Sequence, residues 1–178
     1  MKKILTALPG ALLLTIALAG FPVMDSNAAD SHIRPIKIPY PAHEFRLKDL
    51  DDKWISLKDL RGKTVIINFW ATWCPPCRKE LPSMQRTYKK YKNEKFVILG
   101  INVGESWDVI APFLTPLNIE FPILLDTDSS ELAIWKAIGL PTSFVINGQG
   151  MVTHRFTGGR DWDDPVFRKD LEKILAAN

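Results

Sequence analysis

The run Thr64-Val65-Ile66-Ile67-Asn68-Phe69-Trp70, followed shortly by Trp73-Cys74-Pro75-Pro76-Cys77, decides how the rest of the chain is read. Its nearly unbroken apolar character, rich in β-branched side chains, predicts a strand buried on both faces, as in a parallel sheet. Downstream, Leu81, Met84, Tyr88 and Tyr91 recur at three- and four-residue spacing, which marks one face of a helix. Paired prolines suit a first helical turn, where amide hydrogens lack intrahelical partners. The helix is therefore expected to start near Pro75, with Pro82 kinking it further along. Cys74 then sits where unpaired amides and the positive end of the helix dipole favour a thiolate. Cys77 lies about 300° further round, nearly one full turn. On this reading Cys74 is the nucleophile and Cys77 the thiol that resolves the mixed disulfide.

Working outward, the same period-switching continues. Residues 29–42 hold Pro35, Pro39 and Pro41 and read as an extended N-terminal arm. Residues 45–57 alternate on both sides of Asp51-Asp52-Lys53, which predicts a β-hairpin, and residues 58–62 a helical turn ended by Gly62. Strands are expected at 96–103, 121–125, 143–146 and 151–156, the last two joined by Asn147-Gly148-Gln149-Gly150. Helices are expected at 107–117, capped by Ser106, after the capping-box pair Asp128 and Glu131, and at 163–177. The predicted class is α/β: a mixed central sheet flanked by helices, with an N-terminal hairpin.

The 178 residues allow one domain, and 46% hydrophobic with 24% charged residues is ordinary for a globular protein. A net charge of +3 is too small to argue for nucleic acid. The only two cysteines stand two residues apart, too close to staple distant segments. Met1-Lys2-Lys3 is basic, residues 4–23 are mostly apolar, and Ser26-Asn27-Ala28 offers small residues for a peptidase. Residues 1–28 thus read as a secretory signal peptide, with an uncleaved membrane anchor as the alternative. Residues 43–178 form the domain proper. Export would place the pair in a compartment where disulfides persist, the periplasm in a bacterium with two membranes.

A C-x-x-C pair can also be half of a zinc site, but structural zinc wants four ligands, and His32, His43 and His154 lack ligand spacing. The Pro-x-x-x-Thr-x-x-Cys pattern of peroxidatic cysteines is absent at Cys74. A copper chaperone would use thiolates too, but with a C-x-x-x-C spacing that this chain lacks. The redox reading of a C-x-x-C inside a βαβ pattern is the stronger one.

The segment Asn68-Phe69-Trp70-Ala71-Thr72-Trp73-Cys74-Pro75-Pro76-Cys77-Arg78-Lys79-Glu80-Leu81-Pro82 resembles the active-site segment of the TlpA/ResA/CcmG (DsbE) group of exported thioredoxin-like proteins. Asn102-Val103-Gly104-Glu105-Ser106, Phe121-Pro122-Ile123-Leu124-Leu125-Asp126 and Gly139-Leu140-Pro141-Thr142-Ser143-Phe144-Val145-Ile146 are similar to later signatures of that group. The resemblance implies a thioredoxin fold with a central strand–helix insertion at about 105–125. It implies a protein-disulfide reductant, in several members acting on the haem-binding cysteines of apocytochrome c; because the motif chemistry is shared, a general periplasmic disulfide reductase or an oxidase is the alternative. It also implies recharging by a membrane thiol–disulfide donor of the DsbD/CcdA type. No cofactor or metal is expected, and the chain is expected to act as a monomer.

By the same resemblance Pro141 is the cis-proline facing the cysteine pair; from the residues alone it could equally start a strand in trans. Glu80 matches an acidic residue that moves protons to and from the thiols, which requires a raised pKa in a partly dry site. The alternative is a solvated glutamate in an early helical turn. Where thioredoxin has a buried aspartate this chain has Asn68, which cannot accept a proton in that chemistry, and this turns attention to Glu80. Glu105 is a weaker candidate that reads better as a loop carboxylate. The substrate-facing set is expected to be Trp73, Pro75, Pro76, Leu140, Pro141 and Thr142. Trp70 and Trp73 are expected to shield the pair, and Trp54, Trp107 and Trp135 to pack in the core. Lys89, Lys90, Lys92 and Lys95 read as a solvated basic face.

Overall fold

The computed structural model describes residues 32–92 and 95–177. The signal peptide expected at 1–28 lies outside the described residues. Among those described, no helix is long and apolar enough to cross a membrane.

The stretch Thr64–Trp70 forms strand β4, buried at every position. Alternation along it divides the core. Ile66 and Trp70 join one apolar cluster, while Val65, Ile67 and Phe69 join the other on the opposite face. Asn68 points with Ile66 and Trp70, a fact that matters for the site. Helix α1 (Pro75–Tyr91) connects β4 to its parallel neighbour β5 (Phe96–Val103), a βαβ unit. Strand β6 (Ile123–Asp126) adds in parallel beside β5. Strands β7 (Thr142–Ile146) and β8 (Met151–Thr157) follow antiparallel on the other side of β4.

The outermost strand on that side comes from the N-terminal arm. Strand β1 (Pro35–Pro41) pairs antiparallel with β8, with a register shift between Pro35 and Tyr40. The sheet order is β1-β8-β7-β4-β5-β6. The arm is therefore part of the domain, and the folded unit starts ahead of the boundary at 43 expected from sequence. Ile33, buried in the core, anchors it, and the Ile33 amide donates to Asp170 Oδ2 at 3.3 Å.

The hairpin forms a separate two-stranded sheet, β2 (Arg46–Lys48) with β3 (Trp54–Ser56), followed by a 3₁₀ turn at Leu57–Leu60. The inserted segment holds helix α2 (Trp107–Leu114), a 3₁₀ turn Thr115–Leu117, and β6. Ser106 occupies the position before α2, but its hydroxyl makes no capping bond. The capping box expected at Asp128 and Glu131 is also absent. Helix α3 is only Ser130–Ile134, because Ser129 takes a left-handed conformation and turns the chain away from box geometry. Asp126, at the end of β6, receives the Glu131 and Leu132 amides instead, at 3.1 and 2.9 Å. Helix α4 (Pro165–Ala176) is capped by Asp164, whose side chain accepts from the Val166 and Phe167 amides.

The tryptophans depart from expectation. Trp135 is buried, but Trp54 and Trp107 are each 52% exposed. Trp54 lies under the Arg46 and Lys48 cations, and the Trp107 ring nitrogen donates to the Leu50 carbonyl at 3.1 Å. Trp162, which the sequence reading passed over, is fully buried against Phe156 and Phe167. The basic face of α1 is paired rather than merely solvated: Lys89 and Lys92 reach Glu120 in the insertion, and Lys90 reaches Glu172 on α4.

Candidate active site

Cys74 takes an extended conformation just before α1, and Pro75 and Pro76 occupy the first helical positions. Its sulfur accepts from the Cys77 amide at 3.3 Å, one of the donors left over at a helix start. Cys74 and Cys77 are joined as a disulfide with a Cα–Cα distance of 5.3 Å. Cys77 is fully buried and Cys74 just reaches the surface at 3% exposure. A partner can therefore approach only the first sulfur.

Opposite the pair stands Leu140, whose peptide bond to the buried Pro141 is cis. Between these two walls runs an open groove of about 430 Å³, lined on one side by Trp73, Cys74, Pro75 and Pro76 and on the other by Ile138 and Leu140. Trp73 is 66% exposed, so it forms a rim and does not shield the sulfurs; Trp70 is fully buried beneath, facing Phe113. Thr142 is not a groove residue. It is fully buried, and its hydroxyl donates to the Gly139 carbonyl at 2.6 Å, bracing the loop that carries Pro141.

Glu80 lies three residues beyond Cys77 on α1 and is 2% exposed, so it is no solvated helix-start glutamate. Its Oε1 accepts from Asn68 Nδ2 at 2.8 Å and its Oε2 from the Arg160 amide at 3.0 Å. Burial raises its pKa from 4.5 to about 7, and the bonds from Asn68 and Arg160 offset only part of that rise. Asn68 also reaches Ser143 Oγ at 3.0 Å, linking β4, β7 and α1 beneath the pair. Asn68 is thus the group that orients the Glu80 carboxyl.

The loop after β8 completes the site. Ser83 Oγ donates to the Glu80 carbonyl at 2.8 Å and accepts from the Trp162 amide at 3.1 Å, holding that loop on α1. A Cβ on Gly159 would sit 2.9 Å from the Pro76 carbonyl oxygen. Backbone cannot yield cheaply there, so Gly159→Ala is expected to cost about 1–3 kcal/mol through overpacking. Chemical denaturation of the oxidised protein checks this; an unchanged midpoint would refute the contact. Gly159, Arg160 and Trp162 escaped the sequence reading, and the pair Gly158-Gly159 directly after a strand was the available signal. Among the described residues, no group of three or more His, Cys, Asp or Glu could hold a metal ion.

Comparison with known proteins agrees with this geometry. The family described as AhpC/TSA matches residues 38–155. The chain belongs to that family. Within it, the chain is 39% identical over 157 residues to the thiol-disulfide oxidoreductase ResA of Bacillus subtilis, covering 88% of this chain and 87% of the relative. The structure of a thiol:disulfide interchange protein, a thioredoxin family protein from Chlorobium tepidum, superposes with a TM-score of 0.68 at 34% identity, covering 79% of this chain and 99% of that one. StoA from Bacillus subtilis gives 0.60 at 30% identity, over 68% and 92%. The fold is thioredoxin-like, with the N-terminal hairpin and central insertion, and the resemblance read from the sequence is borne out. This AhpC/TSA member is a thiol–disulfide oxidoreductase of the ResA type, built around a C-x-x-C pair.

Proposed function

We propose that the protein works outside the cytoplasm as a reductant of protein disulfides, with the haem-binding cysteines of apocytochrome c as its substrate. It is recharged there by a membrane thiol–disulfide donor of the DsbD/CcdA type. The observation that carries the direction is Glu80, a buried carboxyl with a pKa near 7 one helical turn from Cys77. A strong oxidant owes its potential to a stabilised thiolate in the reduced form. Here the group that charges near neutral pH is an acid, and its negative charge opposes a thiolate. That leaves the dithiol less favoured and the protein the better electron donor. The basic and apolar leader supports the location.

The reaction balances as two exchanges. The Cys74 thiolate attacks one sulfur of the partner disulfide, and the other partner sulfur leaves as a thiolate and takes a proton. Cys77 then gives its proton to the Glu80 carboxylate and attacks the Cys74 sulfur. The second partner sulfur leaves and is protonated in turn. The partner gains two electrons, and the Cys74–Cys77 disulfide forms. The groove between Trp73 and Leu140 accepts the partner chain against Pro141.

Equilibration of the reduced and oxidised protein with glutathione buffers tests the direction. A potential near the thioredoxin value of about −270 mV is expected. A value above about −150 mV, towards the oxidase range, would overturn it.

A further inference from the structure

Between the end of β4 and the start of α1, residues 71–73 form the loop that delivers Cys74. The loop closes on itself through the Cys74 amide, which donates to the Ala71 carbonyl at 3.2 Å. Its outer side is held by one carboxylate. The Thr72 amide donates to Glu105 Oε2 at 2.7 Å, and the Thr72 hydroxyl donates to Glu105 Oε1. Asn102 Nδ2 donates to the same Oε2 at 2.8 Å. Asn102 lies on β5 directly opposite Trp70. Gly104 takes a φ of +71°, a conformation that favours glycine, and turns the chain so that the next residue reaches back over the end of β4. The short run Asn102-Val103-Gly104-Glu105 therefore has a mechanical content. Asn102 orients the carboxylate, Gly104 makes the turn, and Glu105 grips Thr72.

We propose that Glu105 is a positioning residue for the redox pair: through Thr72 it holds the 71–73 loop so that Cys74 stays at the head of α1. The inference rests on Cys74 being the attacking sulfur. A thiolate gains from a helix start only while it stays among the unpaired amides there, because the effect is confined to the first turn. A loosened loop lets Cys74 move off that position. Charge and grip act in opposite directions on Cys74, which makes them separable. Removing the negative charge alone strengthens Cys74 as an acid, whereas removing the grip weakens it.

Gln can keep the grip without the charge. Its oxygen accepts from the Thr72 and Asn102 nitrogens, and its amide donates to the Thr72 hydroxyl, which turns from donor to acceptor. The test is the pH dependence of Cys74 alkylation by iodoacetamide in the reduced full-length chain, with the modified residue mapped by mass spectrometry. Glu105→Ala is expected to weaken the Cys74 thiol as an acid about three- to tenfold. Glu105→Gln is expected to restore that acidity to at least the wild-type level. Thr72→Val, which keeps the amide bond and loses only the hydroxyl, should fall between them and covers the case in which the alanine variant does not fold. Unchanged acidity in both Glu105→Ala and Thr72→Val leaves Glu105 a merely structural residue and overturns the proposal. Strengthened acidity in both Glu105 variants shows a through-space charge effect and also overturns it, as does a Gln variant as weak as Ala. Labelling of Cys77 before Cys74 in the wild type refutes the assigned nucleophile instead, an outcome distinct from all of these.

Discussion

Cys77→Ala halts the reaction at the mixed disulfide. Cys74 remains able to attack, because it is the sulfur that reaches the groove. No second thiol is left to expel the partner. Turnover is expected to fall at least about a thousandfold, the scale on which losing one member of a covalent relay acts. A covalent adduct should persist through non-reducing electrophoresis, and mass spectrometry of that adduct names the partner. Apocytochrome c is the expected partner; a spread of unrelated exported proteins would point to general disulfide reduction. Cys74→Ala should trap nothing, since Cys77 is fully buried. Capture by Cys77 but not by Cys74 would reverse the assigned roles.

Glu80→Gln has the next largest effect, and it separates stability from rate. The folded pKa of Glu80, about 7, lies above its ordinary value of 4.5. Between these values the folded protein holds a proton that the unfolded chain has released. Stability is therefore full below pH 4.5 and declines as the pH rises to 7, levelling above that. A difference of this size corresponds to about 3 kcal/mol. Gln carries no such penalty, so the variant should match the wild type near pH 4.5 and exceed it by up to that amount at pH 8. Asn68 can accommodate the change by turning its amide, whose Oδ1 has no hydrogen-bond partner among the described residues, towards the new donor. The same substitution removes the proposed proton acceptor for Cys77. Partner reduction at pH 7 should slow about a hundredfold or more, and its inflection near pH 7 should vanish. Denaturation midpoints across pH and a pH–rate profile check both halves. A Gln variant that retains the inflection would remove Glu80 from the chemistry.

The parts legible in the sequence were those whose physics is local. The run at 64–70 announces burial on both faces by itself, and a proline pair after a cysteine announces a helix start. The Gly-rich hairpin loop before Met151 needs no distant partner to be recognised. What was missed depends on residues far apart in the chain. Strand β1 is three-sevenths proline and reads as an extended arm outside the domain until β8, more than a hundred residues later, supplies its hydrogen-bonding partner. The true cap of α3 is Asp126, reached only because Ser129 reverses the backbone between them. Glu80 was legible through the family resemblance, and Asn68 supported it, because a missing acid implies a replacement. Its partner Arg160 could not be found this way, since the contact is made by a backbone amide, which carries no residue identity. Glu105 was read as a loop carboxylate for the same reason, as half of its grip is on the Thr72 amide.

Strand β1 has a consequence beyond completing the sheet. An outer strand with free donors and acceptors invites another chain to extend it, the usual route to edge-to-edge aggregation. Pro35, Pro39 and Pro41 supply no amide hydrogen to such a partner. The register shift beside them bends the ladder that a newcomer would have to follow. A protein whose proposed work is to handle unfolded, cysteine-bearing chains meets extended polypeptide constantly. Its proline-rich margin disfavours their pairing with the sheet and leaves the groove at Cys74 as the place proposed to hold them.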